Sequence, residues 1–412
     1  MKAVSLISLA ALSVATTAAS AEEVSIWVRT STAPILEELA SRYNESHDDT
    51  IDVVPVVAEQ MVPKLGAALA GGAAPAAVAM DLIYMPTFAA AGMLEDMTGF
   101  IDSLPYADAL SPSHIRLGTY EGKKYGVPLT PDASVIVYNT DMLAEAGVDP
   151  ASLETLEGIK DAAIEISALG DDTYGFMYVG NSGSWMVYDF MPHIWAAGDD
   201  ILSEDGRTQT VDTPAMRETL QLYADMWAAG ATHPTTRSGN GNAAVEAFAS
   251  GQVGILMSGS YIVNLLTANY PDVAFNIAPI PGPDGGRATF AGGDDVTMVK
   301  GISDEKKALV EDFITFYLQP EQQVLITEMS GMPSRTDIAD VAYADFDERN
   351  LIAYDVLKSG RTPYTYANDE LFVSLTGPWL EMLETGIFDG DVDGAIETAS
   401  DRFEQILKRT NP

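Results

Sequence analysis

The sequence predicts an α/β fold, sheets covered by helices, in a chain large enough for two such units. Three observations carry this. Short apolar or β-branched runs alternate with stretches whose apolar residues recur at helical spacing, first between Val24 and Ile83 and again between Val135 and Val299. The connections between them are short, as a parallel sheet with helical crossovers requires. A chain of 412 residues, 47% hydrophobic, can bury two globular cores.

Taken in order, the first 21 residues read as an export signal. Lys2 supplies the positive charge, Ala3 to Ala15 the apolar core, and Ala19-Ser20-Ala21 a small-residue cleavage site. A buried N-terminal helix is the alternative, and Thr16 to Ser20 is poor helix material. Val24 to Val28 is a strand, followed by Ile35, Leu36, Leu39, Ala40 and Tyr43 at helical spacing behind Pro34. Ile51 to Val57 is the second strand. A helix from about Gln60 to Ala70 is stopped by Gly71-Gly72, and Val78 to Ile83 is the third strand. Glu121-Gly122 makes a turn into a short strand ending at Val127-Pro128. An extended link through Pro131 leads to the apolar run Val135 to Tyr138, and Asn139-Thr140-Asp141 opens a helix.

Beyond it, Tyr174 to Tyr178, Val253 to Met257, Phe275 to Ile280 and Val296 to Val299 read as strands. Helices are expected near Leu153–Ala168, Pro214–Ala229 and Asn242–Ala249, with Pro279 to Gly286 as a turn-rich connector. Asp304 to Leu318 is an amphipathic helix with acids in its first turn, where the helix dipole favours them. Pro320 breaks it, a shorter helix runs to Gly331, and a last helix places Ala395, Ile396, Ala399, Phe403, Ile406 and Leu407 at core spacing.

Composition narrows the function. A net charge of −38 and a pI near 4.1 repel phosphate backbones and anionic lipid, which argues against nucleic-acid and membrane-surface partners. With no cysteine there are no disulfides, thiolate metal sites or Cys nucleophiles. Nucleotide-binding loops, hydrolase elbows and zinc-protease motifs are missing, and the 4 histidines are scattered. No cofactor is expected. No pair among the 60 acidic residues is singled out as a glycosidase pair. Asp389 to Gly394 copies half a calcium loop, but its twelfth position is Ser400, and capping of the last helix is the preferred reading.

The passage from Tyr120 to Asp141 resembles the lobe-crossing strand of the extracellular solute-binding proteins of bacterial ABC importers, in the carbohydrate-binding, maltose-binding-protein-like branch. The resemblance extends in order through Pro75 to Asp81 with Ala91-Gly92-Met93-Leu94, and through Tyr138-Asn139 with Ala146 to Pro150. It continues in Ala247 to Met257, Gly292-Gly293, Phe313 to Leu318, and Gly331 with Pro333. One departure lies at Ala151 to Leu156, where the family has Pro-Lys-Thr-Trp. The resemblance implies a two-lobed periplasmic-binding-protein-like fold with three hinge crossings and ligand in the cleft between lobes. Residues 1–21 would be the signal peptide, 22–131 and 292–331 lobe I, and 132–291 and 332–412 lobe II. It further implies a monomeric, non-enzymatic protein of a Gram-negative periplasm, cleaved after Ala21 and carrying no lipid anchor. Its partners would be a sugar and an inner-membrane permease.

A neutral sugar needs polar side chains at its rim and aromatic rings against its C–H faces. On lobe I the candidates are Arg29, Thr30 and Ser31 after the first strand and Asp81 and Tyr84 after the third, with Glu59 and Gln60 after the second as weaker ones. An N-cap by Ser31 or Thr32, with Arg29 on the surface, is the competing reading. Asp132 lies in the first crossing, at the family's sugar-binding acid. On lobe II stand Trp185, Tyr188, Ser258 and Tyr261. Gly292, Gly293 and Asp294 occupy the second crossing, where glycines would let the backbone approach a ligand. Arg335 and Arg361 are placed where a cleft cation could sit, with surface pairing as the default reading. A glycerol-3-phosphate or glycerophosphodiester binder is the alternative that would use such arginines, and a secreted sugar-active enzyme is a third reading.

Overall fold

The structure, a computed structural model, describes residues 22–343 and 347–410. The export signal read in residues 1–21 lies outside them. Twelve strands are described: β1 (Glu23–Arg29), β2 (Thr50–Val56), β3 (Ala77–Asp81), β4 (Thr119–Tyr120), β5 (Lys123–Lys124), β6 (Val127–Asn139), β7 (Tyr174–Met177), β8 (Val253–Gly259), β9 (Phe275–Ala278), β10 (Ile280–Gly282), β11 (Gly285–Ala288) and β12 (Ala291–Met298). The main sheet runs β2-β1-β3-β12-β6-β8-β7, with β9 also on β6.

Its two ends are parallel, as the alternation predicts: β1 pairs β2 and β3, and β7 pairs β8. Its middle is not. β12 is antiparallel to β3 and β6, and β6 is antiparallel to β8 and β9. The sheet is therefore mixed, because the chain leaves the first half along β6 and comes back along β12.

The sequence broke the first passage into a strand, a link and a second strand. It is one strand of 13 residues. Pro128 and Pro131 suggested a break. Pro128 instead sits where the pairing with β12 slips between Asp294 and Asp295, and a bulge tolerates a missing N–H. β12 likewise begins at Ala291, five residues before the expected Val296. Pro279 divides the expected strand Phe275–Ile280, and the turn-rich connector after it is the hairpin β10–β11.

Helix ends follow local chemistry. Asn139 accepts from the amides of Asp141 and Met142 at 3.0 Å each, starting helix Thr140–Ala146. Helix Ala58–Gly71 stops at Gly72, which has φ 69°. The expected helix Leu153–Ala168 divides at Thr155, whose hydroxyl caps helix Leu156–Ser167 through the amide of Gly158. Asp391 accepts from the amide of Gly394 at 3.0 Å at the start of helix Val392–Thr410, the capping role preferred over a calcium loop.

Two sets of buried side chains form the cores. Val24, Leu36, Tyr43, Val127 and Leu129 pack with Val296, Phe313 and Ile326 on one side. Ile136, Phe176, Phe190, Tyr223 and Trp379 pack with Phe403 on the other, and Ala133, Val135 and Met332 line a second layer there. β6 thus starts in one core at Val127 and ends in the other at Ile136. β12 makes the reverse passage, and a third falls between Ile326 and Met332. The turn after β3 breaks the division: Ile83 is buried in the core otherwise built from residues after 135, and the partly buried Tyr84 packs against it too. Among the described residues no helix is long and apolar enough to cross a membrane.

Candidate functional site

β1 and β3 are parallel neighbours, so Arg29 and Asp81 leave the sheet at the same edge, where open α/β sheets place ligands. β12 brings Asp294 into register with Asp81. Arg29 is held from both sides: Nη1 donates to Asp81 Oδ2 at 2.9 Å, and Nε lies 2.8 Å from Asp294 Oδ1. The hydroxyl of Thr32 donates to the other oxygen of Asp294, which is fully buried. Burial works against the charge on Arg29, but Asp294 and Asp81 outweigh it and hold the guanidinium above its ordinary range. Burial also raises the Asp81 carboxyl, and Arg29 only partly offsets this.

Asp132 lies further along β6. Its Oδ1 accepts from the amides of Ala133 (2.9 Å) and Ser260 (3.1 Å) and from the Ser260 hydroxyl (2.7 Å). Its Oδ2 accepts from the Tyr188 hydroxyl at 2.5 Å. Burial raises its carboxyl above the usual range, with the bonds from Tyr188 and Ser260 acting the other way. Tyr188 meets Phe290 edge-on at 5.3 Å and Trp185 at 6.2 Å. Trp185, Ser258 and Tyr261 pack around one gap too narrow to admit water, and the Ser258 hydroxyl stands 3.4 Å from that of Tyr261. Gly259 makes this packing possible: a Cβ there would lie 2.4 Å from the Tyr188 oxygen and 2.6 Å from the Tyr261 ring.

Arg29, Asp81, Asp132 and Asp294 come together, as do Trp185, Tyr188, Ser258 and Tyr261. Asp81 and Asp132, from opposite sides of the sheet's midline, interact electrostatically. Tyr84 packs against apolar residues of both cores. The competing reading of Arg29 as a surface residue does not hold, and neither Ser31 nor Thr32 caps helix Ala33–Ser46 through its side chain.

Other candidates are placed differently. Thr30, Ser31 and Gln60 are exposed. Gly292 and Gly293 spend their missing side chains on packing. A Cβ at Gly292 would stand 3.2 Å from the Tyr188 ring, and one at Gly293 (φ 118°) 1.8 Å from the Thr130 carbonyl oxygen. Arg335 is corrected outright: it is 6% exposed, stacks 3.7 Å from the Tyr106 ring, donates to the Leu318 carbonyl at 2.7 Å and pairs with Asp337. Its donors are spent in the first core. Arg361 is exposed, 3.9 Å from Asp200.

Four residues were missed. Ser260 sits within the Ser-Gly-Ser triplet that flagged its neighbour. Asp189 is fully buried, with neither carboxyl oxygen bonded among the described residues, and burial pushes it well above the usual range, Asp132 adding to this. An acid between Met186-Val187-Tyr188 and Phe190-Met191 is the signal that could have exposed it. Tyr120 meets Tyr366 edge-on at 5.8 Å, joining a segment before β6 to one after the last passage. Among the described residues no three His, Cys, Asp or Glu side chains converge to hold a metal ion.

A putative binding protein of Brucella abortus is 26% identical over 97% of this chain and 98% of its own length. The arabinooligosaccharide-binding protein of Halalkalibacterium halodurans is 26% identical over 74% of this chain and 69% of its own. An sn-glycerol-3-phosphate-binding periplasmic protein of B. abortus is 24% identical over 77% and 75%. Among solved structures, the cyclic α-maltosyl-1,6-maltose binding protein of Arthrobacter globiformis superposes with a TM-score of 0.80 at 26% identity, covering 95% of this chain and all of that one. The two-core architecture is that of the two-lobed periplasmic binding proteins. Residues 38–349 match the profile of the bacterial extracellular solute-binding proteins, and the chain belongs to that family.

Proposed function

We propose that this protein is the substrate-binding component of an ABC importer, capturing a neutral mono- or oligosaccharide between two lobes and handing it to an inner-membrane permease without chemistry. Lobe I would comprise residues 22–131 and 292–331, and lobe II residues 132–291 and 332–412. One observation carries the reading. Asp132, held by Tyr188 and Ser260, sits on the strand shared by both lobes, beside the Arg29–Asp81–Asp294 set and the aromatic residues Trp185, Tyr188 and Tyr261. Carboxylates at the rim and rings at the wall are what a sugar's hydroxyls and C–H faces require. The protein would be exported, beginning at Glu22, and act as a soluble monomer.

A thermal-shift panel of sugars, polyols and glycerol phosphates tests this, since a ligand that binds only the folded state raises the melting temperature. A sugar or polyol should do so. For that ligand, Trp185→Ala and Tyr261→Ala should each cost on the order of 1–3 kcal/mol of affinity. A shift with glycerol phosphates alone would move the reading to the anionic class of the B. abortus relative. Turnover of an oligosaccharide would make the protein an enzyme.

A further inference from the structure

The side chains gathered around the shared strand carry more negative charge than they neutralise. Arg29 is the cation of the group, and it is already bound to Asp81 and Asp294. Asp132 adds another carboxylate, and all of its donors are neutral: two hydroxyls and two amides. Three carboxylates against one guanidinium leave an excess of two negative charges. The neighbouring cations do not correct it. Arg335 is spent on Asp337 and the Leu318 carbonyl. Arg116 and Arg361 lie near one another with Asp200 and Glu204 beside them, and Lys64 sits over Trp27. Burial holds His114, which lies against Gly293, to a pKa of about 3, so it is neutral.

Asp189 adds no charge, since burial holds its carboxyl protonated, but it adds polar atoms without partners. It is 0% exposed and both its oxygens are without a hydrogen-bond partner among the described residues. Its carboxyl is close enough to Asp132 and Tyr261 to interact electrostatically with both. The group as a whole offers acceptors in surplus, and the charge of its one guanidinium is already matched by two carboxylates. A hydroxyl brings one donor and no charge. An ammonium group brings three donors and the missing charge. A phosphate or carboxylate brings neither.

We infer that the cleft selects its ligand by charge: it takes a sugar or polyol bearing a protonated amine ahead of the same scaffold bearing a hydroxyl, and rejects the carboxylate or phosphate form. This rests on the reading of the cleft as a sugar site. The protein's net charge of −38 works in the same direction at longer range.

Matched series test it on the full chain at pH 7 by thermal shift and titration calorimetry: glucose, glucosamine and glucuronate; galactose, galactosamine and galacturonate; glycerol and sn-glycerol 3-phosphate. Within a series that binds, the amine should be tighter than the neutral sugar by about tenfold and the anion weaker by about tenfold, gaps that shrink as salt is raised. Asp81→Asn should narrow both gaps, with its melting temperature showing that it folds. An anion binding as well as its neutral counterpart overturns the inference and leaves the sugar reading standing. So does an order that Asp81→Asn, folded normally, fails to change. If no member of any series binds, and no other sugar or polyol of the thermal-shift panel does, the sugar reading falls and takes this inference with it.

Discussion

Gly293 is the position where one added methyl group should do the most damage. It sits on β12 opposite Pro131 of β6, with φ 118°. A Cβ there would be 1.8 Å from the Thr130 carbonyl oxygen and 3.0 Å from His114 Nε2. The nearest obstacle is backbone, on a strand paired along much of its length, so relief means separating β6 from β12 by more than about 1 Å from contact distances near 3.0 Å. Overpacking of this kind costs about 1–3 kcal/mol. The left-handed backbone adds about 1–2 kcal/mol for any residue with a Cβ. The matched control is Gly251, also in the left-handed region at φ 77°, with nothing within 4 Å of a Cβ. Gly251→Ala should show the backbone cost alone. At roughly 2–4 °C per kcal/mol for domains of this size, Gly293→Ala should melt several degrees below Gly251→Ala when unfolding is followed by circular dichroism. Its affinity for any ligand of the Asp132 and Asp294 cluster should fall as well, since both acids flank the displaced pairs. Equal melting of the two variants would refute the reasoning, because it would mean that the crossing strands separate at no cost.

Ile83 joins the turn after β3 to the opposite core, so Ile83→Ser should favour separated lobes. Small-angle scattering without ligand should then give a larger radius of gyration, and ligand affinity should drop about tenfold although the side chain offers a ligand no hydrogen bond. Unchanged scattering and affinity would show that the contact holds nothing together. Asp189 keeps its proton in the folded state well above the pH at which the unfolded chain, with a carboxyl near 3.8, loses it. Its contribution is therefore fully favourable only below about 3.8 and erodes as pH rises toward the folded value. Asp189→Asn should raise the melting temperature at pH 7–8, with the gain vanishing near pH 4. A gain that does not depend on pH would mean that the carboxyl is not what limits stability there.

Most helices and strands were legible because their periodicity and punctuation are local. The Asn139 cap, Gly72 and Pro320 all act within a few residues of where they stand. The continuity of β6 was not legible. Pro128 and Pro131 argue locally for a break, and the partner that overrides them, β12, is more than 150 residues away. Arg335 misled for a similar reason: its partners Tyr106 and Leu318 come from separate parts of the chain. A Gly-rich strand end correctly flagged Tyr261, yet the same triplet hid Ser260, since nothing in Ser-Gly-Ser says which hydroxyl faces Asp132.

The loop residues favoured by motif position, Thr30 and Ser31, are exposed, while the acids carried by the ladders are brought together. Asp132 lies within β6, paired with Gly292 of β12, and Asp294 is paired with both Asp81 and Thr130. Ladder pairing fixes their backbones as no loop would. The same strands connect the two cores, so any rotation of one core against the other must bend β6 and β12 beside these residues. Asp132 takes three of its four bonds from Ser260 and Tyr188, which belong to the second side, whereas Asp294 is bound to Arg29 and Thr32 of the first. A bend between residues 130 and 133 would therefore carry one carboxylate with each side and leave both sets of bonds intact. The distance between the two acidic groups is then the quantity that closure changes, and a ligand bearing donors for both would be what brings them together.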